Sequence, residues 1–282
     1  MKYQRWLKYV GIVLLLSPMT LMAAKDHGNK TEQDYMNDIE NAKTPEDKGL
    51  AIANMADFKN LGWKDSEAKM QMILRNRQGD ESVRDVRVRA LEVIGDGDKG
   101  LSIFDTPRDV KGTAVLTWSH ALTPDDQWIF LPALKRVKRI SSKNKSGPFM
   151  GSEFAYEDIA SQEVEKFTYK YLRDEMYDGM DCYVSEHYPA YEYSGYKRLI
   201  TWLDKEHFRP RKTVFYDRKD AQLKTVTYKD YHTYLGKYLR PHDMFMENHQ
   251  TGKSTTLKWS DFEFGKGFTD RDFDKNTLKR IR

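Results

Sequence analysis

The chain of 282 residues has a single cysteine, Cys182, so no disulfide can form within it and its core must rest on burial alone. Its seven histidines stand at 27, 120, 187, 207, 232, 242 and 249, without the HExxH pair or other spacing that organises zinc. A Gly-x-Ser-x-Gly elbow is missing too, which removes the usual mark of a serine hydrolase. Charge of one sign is also scarce. Lysine and arginine number 47 against 43 acids, and Lys2, Arg5 and Lys8 stand in a leading segment without acids, so the rest carries 44 against 43. A near-neutral chain lacks the concentrated basic face of a nucleic-acid binder, and no nucleic-acid partner is expected.

Two short motifs reduce to turns. Gly252, Lys253 and Ser254 spell the end of a phosphate loop, but Glu247 stands where the first glycine belongs. Asp96, Asp98 and Gly100 suggest a calcium loop, yet its twelfth position is Pro107 and not glutamate. Cys182 lies beside Tyr183 and Val184 in a strand-like run, as a small buried hydrophobe does. Neither a metal nor another cofactor is expected, and the chain does not read as an enzyme.

What is present begins with a leader. Lys2, Arg5 and Lys8 precede an apolar run from Val10 to Met22 and then Ala23 and Ala24, the order of a secretory signal peptide. The run is about a dozen residues, short of the roughly 20 that span a bilayer. The expectation is a signal peptide over 1–23 and one domain over 24–282, exported to the periplasm and free in solution there.

Residues 25–43 are polar and mixed, the character of a partly loose segment. Thr44, Pro45, Glu46 and Asp47 then place a cap, a first-turn proline and two first-turn acids before Leu50, Ala51, Met55 and Phe58, which predicts a helix from Pro45 to Lys59. From Ser66 the period becomes two. Ala68, Met70, Met72 and Leu74 alternate with Lys69, Gln71 and Arg75, and Val86, Val88 and Ala90 alternate with Arg87 and Arg89 beyond a turn, which predicts a hairpin. Ten further strand-like runs follow, from Leu101–Phe104 to Thr255–Phe264, separated by turns. Ser141 to Ser161 reads as a long loop. The fold class is mainly β with some helix (α+β), a single antiparallel sheet curling on itself.

Thirteen Phe, seventeen Tyr, six Trp and twelve Met make the chain rich in bulky apolar side chains. Many alternate along strands, as in an ordinary core, but a curled sheet of this many strands encloses more volume than its own side chains fill. Adaptable methionines suit a pocket for a flexible apolar guest. The candidate cavity residues are Met70, Met72, Leu74, Val86, Val88, Leu116, Trp118, Trp128, Phe130, Trp202, Met244 and Met246. Lys135, Arg136, Lys138 and Arg139, continued by Lys143 and Lys145, form a basic cluster. It reads as a solvated edge strand with protective lysines or as a contact with anionic lipid or an acidic partner.

Three runs carry a resemblance: Phe104–Thr113 (FDTPRDVKGT), Trp128–Ile140 (WIFLPALKRVKRI) and Phe149–Phe154 (FMGSEF) with Glu157 and Asp158. They resemble the bacterial outer-membrane lipoprotein-sorting proteins, a branch of the LolA/LolB-like superfamily, over nearly all of the chain after the leader. The resemblance implies a half-open barrel of about eleven antiparallel strands, with helices covering its mouth and a hydrophobic cavity between. It further implies a carrier of lipid or lipidated protein that works beside an inner-membrane exporter of the resistance-nodulation-division type and an outer-membrane acceptor. A lipid-modifying hydrolase and a non-binding adaptor subunit of an envelope transporter remain the alternatives.

Overall fold

The computed structural model describes residues 30–280. The expected leader lies outside the described residues. Helix α1 (Glu32–Asn41) forms inside the stretch expected to be loose. Thr31 and Asp34 cap it reciprocally, with Asp34 N donating to Thr31 Oγ1 (3.3 Å) and Thr31 N to Asp34 Oδ2 (2.7 Å). Its few apolar residues suffice because Tyr35 and Ile39 are buried and the Tyr35 ring stacks on Phe58 at 4.8 Å. Helix α2 (Pro45–Asn60) starts where the cap predicted, with Asp47 N donating to Thr44 Oγ1 at 3.0 Å. It is buried on two sides, so Ile52 and Met55 face α1 while Ala53 joins the main core, and Leu50 is left exposed.

Thirteen strands form one antiparallel sheet. The first six are β1 (Asp65–Arg75), β2 (Glu81–Leu91), β3 (Lys99–Phe104), β4 (Ala114–Trp118), β5 (Asp126–Leu131) and β6 (Arg136–Ile140). The remaining seven are β7 (Phe167–Tyr177), β8 (Met180–Pro189), β9 (Tyr196–Asp204), β10 (Pro210–Asp217), β11 (Gln222–Tyr234), β12 (Tyr238–Asn248) and β13 (Ser254–Phe264). The spatial order runs from β6 back to β1, across to β13, and down to β7. Strands β6 and β7 are the two edges, so the barrel is half-open. The count exceeds the eleven implied by the resemblance. Alternation finds all but β6, whose basic run reads as an edge strand from its lysines, and it is one here.

The segment from Ser141 to Lys166 crosses from one edge to the other. It is no free loop: it carries helix α3 (Tyr156–Ile159) and buries Phe149 and Phe154 in the concave core. That core gathers Met70, Met72, Val86, Phe104, Phe215, Val226, Met246 and Leu257 from across the sheet. Burying each such side chain contributes about 1.5–3 kcal/mol. A second cluster covers the opposite face of β3–β5, where Leu101, Ile103, Leu116, Trp128 and Phe130 pack under Phe273 and Leu278 near the C-terminus. Among the described residues no helix is long and apolar enough to cross a membrane.

Candidate functional site

A cavity of about 310 Å³ lies between α2, the crossing segment and the concave face of β7–β12. This is at the lower end of the size of ligand pockets, roughly 300–1,000 Å³. Helix α2 contributes Ala53, Ala56, Asp57 and Asn60, and its small residues leave the space open. The helix can lie so close because Gly49 has no side chain. A Cβ there would stand 2.9 Å from the backbone nitrogens of Lys170 and Tyr171 on β7.

The sheet supplies an aromatic and aliphatic wall. Phe167 and Tyr169 come from β7, Leu199 and Leu203 from β9, Phe215 from β10, Val226 and Tyr228 from β11, and Met244 and Met246 from β12. The members of each pair are two residues apart, or four for Leu199 and Leu203, so strand alternation places both on the same face. The phenols stay neutral. Burial pushes the Tyr228 pKa up to about 12 and raises that of Tyr169 further.

Two acids of α3 form one polar region of the lining. Glu157 accepts from Ser194 Oγ (2.8 Å), Tyr191 OH (3.1 Å) and Gly195 N (2.8 Å). Gly195 is needed there, because a Cβ would stand 2.9 Å from Glu157 Oε1 and 2.8 Å from Ser146 Cβ. Burial, followed by the charge of Asp158, raises the Glu157 pKa above the ordinary glutamate value. Asp158 pairs with Lys224 Nζ at 2.7 Å, both side chains being buried, and accepts from Tyr196 OH at 2.8 Å. Arg209 forms a second polar region. Its Nη2 donates to the Lys59 carbonyl at the end of α2 (3.1 Å), and burial lowers its pKa.

The histidine of the cavity, His187, has a hydroxyl and not a carboxylate as its partner, Ser185 Oγ at 2.9 Å. Its ring packs edge-on against Tyr169 (4.7 Å) and Phe167 (6.1 Å), and burial pushes its pKa down to about 4. Among the described residues no carboxylate orients His187, so a nucleophile–base–acid relay is not completed at this wall. His120 does contact a carboxylate, Asp96 Oδ2 at 2.8 Å, but it lies outside the cavity lining and ties the β2–β3 connection to the β4–β5 connection. Cys182 is fully buried on β8, with burial pushing its pKa up to about 11. On β11 and β12, Asp230, His232 and His242 bring possible metal-ligand atoms within 4.8 Å of one another. Spacing along the sequence could not show this, since the cluster exists only through strand pairing.

The candidate residues read from sequence fall into four places. Met244 and Met246 line the cavity. Met70, Met72 and Val86 belong to the same concave core, with Leu74 and Val88 packed partly buried against it, but they stand outside the lining. Leu116, Trp118, Trp128 and Phe130 lie on the other face, against Phe273 and Leu278. Trp202 also faces away, in an outer cluster with Cys182, Val184 and Val214. Alternation fixes which residues share a face and not which face is concave. Lys135, Arg136, Lys138 and Arg139 are exposed on and beside the edge strand β6, with Arg139 paired to Asp126. Lys145 is different. It is buried, with its ammonium 3.7 Å from the centre of the Tyr191 ring, and is not part of an open basic surface.

A family model described as "Uncharacterized protein" matches residues 96–280. No curated protein matches the chain. The crystal structures similar to it include these three. A domain from Vibrio parahaemolyticus described as an outer membrane lipoprotein-sorting protein is 57% identical over 83% of this chain and 100% of its own, with a TM-score of 0.82. A DUF1329 family protein from Desulfovibrio piger is 29% identical over 84% and 100% of the two chains, at 0.79. A LolA superfamily protein from Nitrosomonas europaea is 23% identical over 81% and 98%, at 0.66, a likeness of fold.

Proposed function

Because the chain belongs to the family of outer-membrane lipoprotein-sorting proteins and has the LolA-superfamily fold, we propose that it carries a lipid, a lipoprotein acyl group or another apolar molecule in the cavity beneath α2. The observation that supports this reading best is the cavity itself, about 310 Å³ walled by aromatic and aliphatic side chains inside a half-open barrel. A barrel acting only as an adaptor would be filled by its own side chains. A hydrolase would need a carboxylate to orient His187 and a nucleophile open to the cavity, whereas the partner of His187 is Ser185, which is 1% exposed and outside the lining.

Each methylene taken out of water contributes about 0.8 kcal/mol, so about ten sheltered methylenes offer about 8 kcal/mol, a micromolar scale. In this reading the protein works in the periplasm after its leader is removed. It moves cargo between an inner-membrane exporter and an outer-membrane acceptor, and catalyses no reaction. Gentle purification, lipid extraction and mass spectrometry provide the test. The wild-type protein should yield bound lipid, and Ala56→Phe, which fills the cavity from α2, should lose it while keeping its circular dichroism. Wild-type protein that yields no lipid above an unrelated control and takes up no acyl probe would overturn the reading.

A further inference from the structure

The cavity lining, which also carries Asp57, Glu157 and Asp158, contains a buried guanidinium that makes no ion pair among the described residues. Arg209 is 8% exposed and lines the cavity. Its guanidinium offers five N–H donors. One, on Nη2, reaches the Lys59 carbonyl, and Nε–H has no partner. Among the described residues no carboxylate makes an ion pair with it. Asp204 is the acid whose charge Arg209 feels, and that carboxylate is already engaged by Arg211 Nε (2.9 Å), His207 N (2.6 Å) and the Arg209 backbone N–H (3.3 Å).

A second guanidinium adds to the field. Arg240 donates from Nη1 to Asn60 Oδ1 and the Leu239 carbonyl, both at 3.0 Å, and likewise makes no ion pair among the described residues. Burial and then the charge of Arg209 push its pKa down to about 10, so the two cations feel each other. A buried charge without a counter-charge is costly, and proteins pair such groups or bring in an ion. Capping the carbonyl end of α2 does not account for Arg209, because one neutral donor meets that need. The acids of α3 do not compete for the same guest group, since Glu157 and Asp158 have their oxygens filled by Ser194, Tyr191, Gly195, Tyr196 and Lys224.

We propose that the cargo is an anionic amphiphile, with its oxyanion head, carboxylate or phosphate, held by the Arg209 guanidinium and its acyl chain laid along Leu203, Leu199, Phe215 and Met246. The planar fork of arginine suits both oxyanions. This rests on the carrier reading and narrows it from apolar guests in general to those with a negative head.

The experiment is displacement of a bound neutral fluorophore from the purified protein by oleate, lysophosphatidate and methyl oleate. Wild-type protein should prefer at least one of the anions over the ester by about tenfold or more, the scale of one charge-assisted hydrogen bond. Arg209→Gln keeps a donor for the Lys59 carbonyl and should bring the anions to the level of the ester. Arg209→Lys should keep part of the preference. Stronger displacement by lysophosphatidate assigns a phospholipid-type head, and stronger displacement by oleate a free carboxylate. If the ester matches both anions in wild type, or if Arg209→Gln weakens all three alike, this inference falls while the carrier reading stands. If none of the three displaces the fluorophore, both fall. Should Arg209→Gln fail to fold, the wild-type comparison of anion with ester decides alone.

Discussion

A titratable group in a buried wall reports its surroundings through the pH dependence of folding. Among the described residues Ser185 is the one hydrogen-bond partner of the His187 ring, and burial pushes its pKa down to about 4, against 6.5 in an open chain. The folded protein therefore refuses a proton that the unfolded chain accepts between those values. Its contribution is intact above about pH 6.5 and is lost as pH falls towards 4, by about 3 kcal/mol in all. Glu157 acts with the opposite sign. Its pKa is raised, so its contribution is complete below the ordinary value of 4.5 and fades as pH rises above it. Because the two oppose each other, the informative quantity is a difference between proteins. Denaturant unfolding of wild type and His187→Gln at pH 7 and pH 4 should show wild type losing about 3 kcal/mol more than the variant over that interval. Equal losses would mean that the imidazole reaches water in solution.

At the scale of elements, the docking of α2 on β7 decides whether the cavity has a roof. Alanine at Gly49 would favour the helix by about 0.5–1 kcal/mol. The same Cβ would press within 2.9 Å of two backbone nitrogens that cannot swing away as a side-chain tip could. Overpacking of that kind costs about 1–3 kcal/mol. The clash should win, so Gly49→Ala is expected to lower the thermal midpoint and weaken uptake of an acyl probe, whereas a stabilised variant would show that α2 does not lie this close. The start of α2 was legible in Thr44 and Pro45, because a cap is a local signal. Helix α1 was missed although Thr31 and Asp34 offer the same kind of local cap, because its few apolar residues make no clear stripe and its packing rests on Tyr35 stacking on Phe58, which no local pattern shows. Leu116, Trp128 and Phe130 were expected in the cavity and share one face against Phe273 and Leu278. Alternation marked a buried face without telling which, and β3–β5 are buried on both sides, the second side by the C-terminal segment. The wall that does line the cavity, such as Phe215 with Thr213 or Val226 with Tyr228, showed the same alternation without any mark of concavity.

For the whole molecule, a half-open sheet leaves two edges, and under the proposed carrier role β6 would have to avoid pairing with other chains while the protein meets a membrane. Lys135, Arg136, Lys138 and Arg139 are all exposed. Val137 and Ile140 turn inward beside Phe130 and Ile129. Lysines on an edge discourage strand addition, and the same charges attract an anionic bilayer by about 1 kcal/mol each. Arg139 is already paired with Asp126 and should count for less. The other three then offer about 3 kcal/mol, roughly a hundredfold in the encounter, fading over about 8 Å at physiological salt. Reversing all four charges should leave the fold intact, because none of the four is buried. Transfer of acyl cargo to vesicles rich in phosphatidylglycerol should slow strongly at low salt, and added salt should slow the wild type towards the variant. Charge-reversed protein that transfers cargo at the wild-type rate at every salt concentration would show that β6 only guards its edge, and that the meeting surface lies elsewhere on the barrel.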